Sequence, residues 1–376
     1  MSSRELTIAD RVISDRSGAY VIAEIGHNHE GDLKRAEQLV LSAAAQGASA
    51  AKLQKRDNRT LFTRAMYDQP YEGRNSFGPT YGRHREALEF GRTEYTHLAQ
   101  VAKEAGIDFF ATAFDHPSVD FLMEFDPPAI KIASADLTNT PLLAYAAKTG
   151  KPLIVSTGGG TGDEVRRACD TVLPINQNLA LLQCTAVYPA GPADLNLSVI
   201  TRYRADHPDV VIGYSGHDLG VEASLVAYAL GARVIEKHFT LDQSRPGSDH
   251  HFSLTPPELG ALTAGLERTR EMLGSPDKRC SAQELAAVRK LGKKLVAARD
   301  LPEGHLLTER DVACKSPGDG LKPYEMDRLL GRRLAAAVRA DEAFTLELLA
   351  ADAPTVGGAA DVPAVDGAAD VPTVNG

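Results

Sequence analysis

Eight short apolar runs, spaced by helical stretches, limit this chain to very few folds. They are YVIAEIG, ASAAKLQ, IDFFATAF, AIKIAS, PLIVSTG, LALLQCT, VVIGYS and ARVIEKHF, between residue 20 and about 273. Each has the length of a strand. Between most of them lie amphipathic patterns such as LKRAEQLVLSAAAQG, EYTHLAQVAKEAG and GVEASLVAYALG. Gly47, Gly106, Gly150 and Gly231 stand where helices should stop. Eight β/α units over roughly 250 residues is the count of a (β/α)8 TIM barrel. The competing doubly wound sheet should carry a glycine-rich nucleotide turn after its first strand, and IGHNHEGD is not that pattern. The expected fold class is therefore α/β, a (β/α)8 barrel over residues 1–275.

The remainder divides by composition. Residues 276–292 read as a polar, partly helical linker. Residues 293–350 read as a small domain of short strands and tight turns, at the lower size limit for independent folding. From 351 to 376 the chain is low in complexity, with GAADVP at 358–363 and again at 367–372, and disorder is expected there. Net charge is −9, which argues against a general nucleic-acid surface. No apolar run reaches the ~18 residues of a membrane span. The N-terminus lacks the basic start and apolar core of a signal peptide, so a cytoplasmic location is expected. Cys169, Cys184, Cys280 and Cys314 are scattered and suggest neither disulfides nor a zinc knuckle.

Strand parity points to the chemistry. Side chains alternate faces along a strand, so Gly213, Ser215 and His217 share one face, and Val234, Glu236 and His238 share another. If those faces point inward, His217 and His238 meet at the C-terminal mouth, where barrels keep their active sites, and form a plausible divalent-metal site. Glu24 shares a face with Ile22, and Lys52 with Gln54. Thr112, Lys131, Ser134 and Ser156 fall at the ends of the next three strands. Two lysines aimed into one cavity, among hydroxyls and glycine-rich backbone, suit a multivalent anion such as phosphate or carboxylate. Each lysine taken singly reads equally well as half of a salt bridge to Glu24 or Glu236. A Schiff-base aldolase using Lys52 or Lys131 is the rival chemistry, while Lys237 points away from His238. Asp249, in RPGSDH, is either a solvated loop carboxylate or a ligand of metal or sugar. The long second crossover, including YDQPYEGRNSFGPTYGRHREALEF, is expected to pack near the site.

The segments AEIGHNHEGD, AKLQKR, IKIASAD, IVSTGG, LLQCTAVYP, IGYSGHD, EKHFT and RPGSDHHFS occur in the order found in the N-acetylneuraminate (sialic acid) synthase family, which this chain resembles over residues 20 to 350. VAARDLPEGHLLTERDV and KSPGDGL resemble the antifreeze-like (SAF) domain that ends those enzymes. The resemblance implies condensation of phosphoenolpyruvate with an aldehyde amino sugar of the N-acetylmannosamine type. The product is a nine-carbon 2-keto acid, and phosphate is released. It further implies Mn2+ or Mg2+, and a domain-swapped homodimer in which one SAF domain covers the partner's barrel. By the same resemblance His217 and His238 bind metal. Lys52, Thr112, Lys131, Ser134, Ser156 and Ser215 hold phosphoenolpyruvate. Glu24, Gln54, Asn75, Tyr188 and Asp249 lie near the sugar or metal. Glu24, Lys52, Lys131 and Asp249 are the expected catalytic groups. Three positions depart from the family pattern: Asp136 replaces a substrate-side Glu, Ala186 an Asn, and Ser316 the Arg of KRPG. A sugar other than N-acetylmannosamine is therefore also expected to fit. A non-catalytic sugar-binding protein and a synthase of shorter keto-sugar acids are the remaining alternatives, and the latter usually lacks a SAF domain.

Overall fold

A computed structural model of the chain describes residues 4–351. The expected disordered tail lies outside the described residues beyond Ala351. The chain divides into two compact units, one ending at Gly274 and one beginning at Ser275.

The first unit opens with a two-stranded hairpin, β1 (Glu5–Ile8) and β2 (Arg11–Ser14). Eight parallel strands follow: β3 (Tyr20–Gly26), β4 (Ala50–Lys55), β5 (Asp108–Ala113), β6 (Ile130–Ile132), β7 (Leu153–Ser156), β8 (Leu179–Cys184), β9 (Val211–Gly216) and β10 (Val234–His238). They close into a barrel in which β10 pairs with both β9 and β3. Every strand read from the sequence is present. The helix Leu33–Ala45 shows why these segments take their places. It buries Ala36, Leu39, Val40 and Ala43, one helical stripe, and Asp32 caps its start by accepting from the Lys34 and Arg35 amides. The helix Arg92–Ala105 ends at Gly106, whose φ of 69° closes the last turn.

Alternation splits the barrel residues between two cores. Side chains such as Ala23, Ile25, Leu53 and Ile212 face the surrounding helices. Tyr20, Ile22, Ala50, Phe110, Ile154, Leu182, Val211 and Val234 fill the interior near the strand starts. Leu6, Ile8 and Ile13 of the hairpin complete that inner cluster and seal the N-terminal end. Arg4 fastens the hairpin by donating to the Val210 and Arg204 carbonyls, each at 2.7 Å. The hairpin has no counterpart in the sequence reading. Two four-residue strands with three buried positions carry too little periodicity to stand out.

The second unit starts with the helix Ala282–Leu291, which buries none of its residues and occupies the expected linker. Beyond it β11 (Lys294–Ala297) pairs antiparallel with β12 (Val312–Lys315). Leu295, Leu301, Leu307, Leu329, Leu334, Val338 and Phe344 form a separate small core.

Ile8→Ala should destabilise the barrel unit by about 2–5 kcal/mol, since it empties a fully buried site. Val12→Ala, on the half-exposed face of the same hairpin, should change little. Urea unfolding distinguishes the two, and equal effects would contradict the plug.

Candidate active site

Two residues beyond the apolar plug, the inward positions of most strands turn polar, with Cys184 on β8 the exception. Ile22 gives way to Glu24, Ala50 to Lys52, Phe110 to Thr112, Ile154 to Ser156, Gly213 to Ser215 and Val234 to Glu236. A strand step of two keeps the side chain on the same face, so these groups form a ring around the axis. Gly213 is required beneath it, because a Cβ there would sit 2.3 Å from the Leu182 side chain and 2.4 Å from the Val234 carbonyl.

The ring is a buried charge network. Lys52 Nζ lies 2.6 Å from Glu24 Oε2 and 3.7 Å from Glu236 Oε2, and donates to Thr112 Oγ1 at 2.8 Å. Lys131 Nζ donates to Ser156 Oγ at 2.7 Å and lies 3.8 Å from Glu236 Oε1. Ser215 donates to Glu236 at 3.1 Å. Glu236 thus stands between both lysines. Burial opposes its ionisation, but Lys131 and Lys52 outweigh burial and hold the carboxyl below its usual value. Glu24 behaves oppositely. Burial, helped by Glu236, lifts its carboxyl above the ordinary range despite Lys52. Its Oε2, though close to Lys52, has no partner at hydrogen-bonding angles, while Oε1 accepts from Gln54 at 2.6 Å. Burial lowers the Lys131 ammonium, with Glu236 pulling the other way. The Ser134 hydroxyl accepts from the Gly158 amide at 2.9 Å.

One step further out stand the histidines, with ring centroids 5.4 Å apart. His217 Nδ1 lies 2.9 Å from the Thr185 carbonyl, so it carries the proton and leaves Nε2 free. Burial, and then His238, push His217 down to about 4. Burial also lowers His238, against the pull of Asp249 at 3.6 Å. Both rings are therefore neutral at pH 7, the form a metal binds. His238 Nδ1 is buried without a hydrogen-bond partner. Tyr188 covers His217 at a centroid distance of 4.0 Å, and Phe252 packs against both imidazoles. The pair fits a divalent metal with open positions, although among the described residues no three His, Cys, Asp or Glu side chains are grouped to hold one.

These groups line one cavity of about 550 Å³. Of the expected site residues it gathers Glu24, Lys52, Gln54, Asn75, Thr112, Lys131, Ser134, Ser156, Tyr188, Ser215, His217, His238 and Asp249. Asp136 is the exception. It sits on the short turn Ser134–Asp136 and accepts from the Asn139 side chain at 2.9 Å, so it stabilises the turn and does not line the cavity. Ser316 belongs to the second unit, where its hydroxyl donates to the Leu291 carbonyl at 3.2 Å. The long crossover packs at the mouth, as expected, and contains three short helices. Asn75 there accepts from the Gly247 amide at 3.0 Å. The sequence reading overlooked His27, Arg56, Arg85 and Ser248. Arg56 continues the parity of Lys52 and Gln54 and was legible; Arg85 sits on the short helix Tyr81–Glu86 of the crossover and His27 on a turn, where strand parity has no meaning. A larger hollow of about 930 Å³ lies between the helices Gly162–Val172 and Val199–Asp206, but it holds neither ring lysine nor the histidine pair.

Comparisons with known proteins agree with this geometry. The model of the NeuB family matches residues 39–278, and that of the SAF domain matches 294–350. The chain is 40% identical over 341 residues to the N-acetylneuraminate-9-phosphate synthase of Homo sapiens, covering 90% of this chain and 95% of that one. It is 37% identical over 322 residues to the N,N'-diacetyllegionaminic acid synthase of Legionella pneumophila, covering 84% and 90%. The crystal structure of the N-acetylneuraminic acid (sialic acid) synthetase from Leptospira borgpetersenii superposes with a TM-score of 0.68 at 33% identity, over 76% of this chain and 95% of that one.

The buried imidazoles make stability depend on pH. His29 is held at about 3 by burial and by His27, and His217 at about 4, against 6.5 for an ordinary imidazole. Between those values the unfolded chain binds protons that the folded one refuses, so stability should fall as pH drops from 6.5 toward 4. His29→Gln should flatten the dependence of Tm on pH in that window. An unchanged slope would contradict the assignment.

Proposed function

This chain belongs to the NeuB family, and from that membership and the two-lysine ring we propose that it condenses phosphoenolpyruvate with an aldehyde amino sugar. The product is a nine-carbon 2-keto acid, and inorganic phosphate is released. The observation that carries the reading is the convergence of Lys52, Lys131 and four hydroxyls on the cavity that also holds His217 and His238. The lysines hold the anionic groups of phosphoenolpyruvate, with Thr112, Ser134, Ser156 and Ser215 as further donors. C3 of the enol attacks the aldehyde carbon and forms the new C–C bond. Water adds at C2, and the C2–O bond to phosphate breaks to leave the ketone. The new alkoxide takes a proton.

Glu24 supplies that proton in this proposal, because its carboxyl is raised. The Asp249 carboxyl is lowered, since His238 and Ser248 outweigh the effect of its burial, and it serves as an acceptor for sugar hydroxyls. An arriving anion between the lysines loosens their hold on Glu24 and favours its protonated form further. His217 and His238 would hold Mn2+ or Mg2+, which would act as a Lewis acid toward the aldehyde oxygen. Two imidazoles favour Mn2+ over the harder Mg2+.

The departures from the family pattern at Ala186 and Ser316, neither of which lines the 550 Å³ cavity, keep sugars other than N-acetylmannosamine within the proposal. A homodimer is part of the proposal. Leu285, Val288 and Leu291 form an exposed apolar stripe on one helix, 48% to 67% accessible, which a second chain would cover. A cytoplasmic location follows from the use of phosphoenolpyruvate.

Phosphate release from phosphoenolpyruvate, assayed against a panel of amino sugars with products identified by mass, tests the reading. Turnover with at least one aldose is expected, with no borohydride-trapped adduct of pyruvate. A trapped lysine adduct without phosphate release would establish the aldolase instead. Chelation should abolish turnover and added Mn2+ restore it. In folded His217→Ala, Mn2+ should restore nothing. Full activity in a chelated sample would refute the metal's role.

A further inference from the structure

Besides Lys52 and Lys131, a third lysine is buried behind the histidine pair, on the face of β10 that the condensation does not use. Lys237 alternates with Glu236 and His238, so it points away from the cavity toward the surrounding helices, and it is 1% exposed. Its ammonium donates to the Asp218 carbonyl and lies 3.1 Å from Asp218 Oδ1. The same Oδ1 accepts from the Tyr214 hydroxyl at 2.6 Å. Asp218 is buried as well, and its Oδ2 has no hydrogen-bond partner among the described residues.

Stability alone is a poor reason for such a network. A buried ion pair gains little over apolar side chains of similar volume, because lost hydration offsets most of the attraction. The orphaned carboxylate oxygen adds a further cost. The network also dictates Gly216, where a Cβ would sit 2.4 Å from Asp218 Oδ1 and 2.6 Å from the Tyr214 ring.

The bridge joins the neighbours of the two imidazoles. Lys237 immediately precedes His238, and Asp218 immediately follows His217. His238 is fixed by the sheet: it pairs with Glu24 of β3, and its carbonyl accepts from the Leu254 amide at 2.7 Å. His217 lies past the sheet, because the ladder between β9 and β10 ends at the rung Gly216–Lys237. The Ala190 amide, donating to the His217 carbonyl at 3.1 Å, and the Thr185 carbonyl on Nδ1 both belong to the segment after β8, so neither sets the distance to His238. The Lys237–Asp218 bridge ties the chain that carries His217 back to the strand that carries His238.

We propose that Lys237, Asp218 and Tyr214 form a positioning device that holds His217 opposite His238, so that both imidazoles reach one divalent cation. This rests on the metal reading above. None of the three lines the cavity, so they act through the histidines.

The test is a Mn2+ titration of the full chain after chelation, followed by the electron paramagnetic resonance of free and bound metal. It needs no turnover and so stands apart from the condensation. The unmutated protein should bind Mn2+, and folded His217→Ala should not. Lys237→Met combined with Asp218→Asn removes the bridge without leaving an unpaired charge. It should weaken Mn2+ binding roughly 10- to 100-fold, the usual effect of losing a partner that orients a ligand. Phosphoenolpyruvate binding to the metal-free double variant, measured by calorimetry, should stay unchanged, because Lys52 and Lys131 are untouched. Tyr214→Phe, a milder loss, should shift Mn2+ affinity in the same direction and by less, and it decides alone if the double variant does not fold. Unchanged Mn2+ affinity, with or without a loss of stability to urea, would overturn the positioning role. Equal weakening of Mn2+ and phosphoenolpyruvate binding would overturn it as well. Mn2+ binding that survives His217→Ala would remove the metal reading, and the positioning role with it, while phosphate release still decides the condensation.

Discussion

Everything at the mouth of this barrel depends on pairing two lysine side chains that are almost wholly withdrawn from solvent at the floor of its cavity. Lys52 and Lys131 are almost wholly buried. Isolated charges at such depth are strongly disfavoured, and pairing has to offset the loss of hydration. Glu236 meets both, and Glu24 meets Lys52. The four groups cancel in formal charge, yet they are not equivalent. Glu236 is held ionised between two cations, whereas Glu24 is easier to protonate. That asymmetry is what the proposed roles of anion binding and proton delivery rest on.

The barrel makes this possible by sorting residues along its axis. The hairpin and the first inward layer are apolar and exclude water from below. The next layer carries the lysines and carboxylates, the next the neutral imidazoles, and the outermost the arginines. Along β4 and just past its end the layers follow in two-residue steps through Lys52, Gln54 and Arg56, while Arg85 joins from the helix Tyr81–Glu86. A chain of net charge −9 thus keeps lysines and arginines in the lining of its barrel cavity, beside carboxylates that balance most of their charge. Local arrangement of donors, and not overall charge, decides what enters.

Parity made much of this legible beforehand. Lys52, Gln54, Ser215, His217, Glu236 and His238 sit in strands whose neighbours alternate cleanly, so their common direction followed from spacing. Arg56 obeys the same rule and was missed only because it stands one residue past its strand. Asp136 entered through the family resemblance and not through parity; in the structure it ends the tight turn Ser134–Asp136, accepts from the Asn139 side chain and does not line the cavity. Arg85 and His27 were illegible, because a short crossover helix and a turn bring them to the mouth through contacts far apart in sequence. The hairpin was hidden by its brevity.

The sequence by itself determined the number of barrel strands, the face each of their side chains takes and the order of chemistry along them, because those depend on a local repeat of two along each strand. Only the tertiary structure decided which carboxylate each lysine meets, which imidazole nitrogen stays free and which arginines converge above them. Those outcomes follow from closing the ring of strands and folding the long crossover over it, and distances across a closed ring are written in no single segment of the chain.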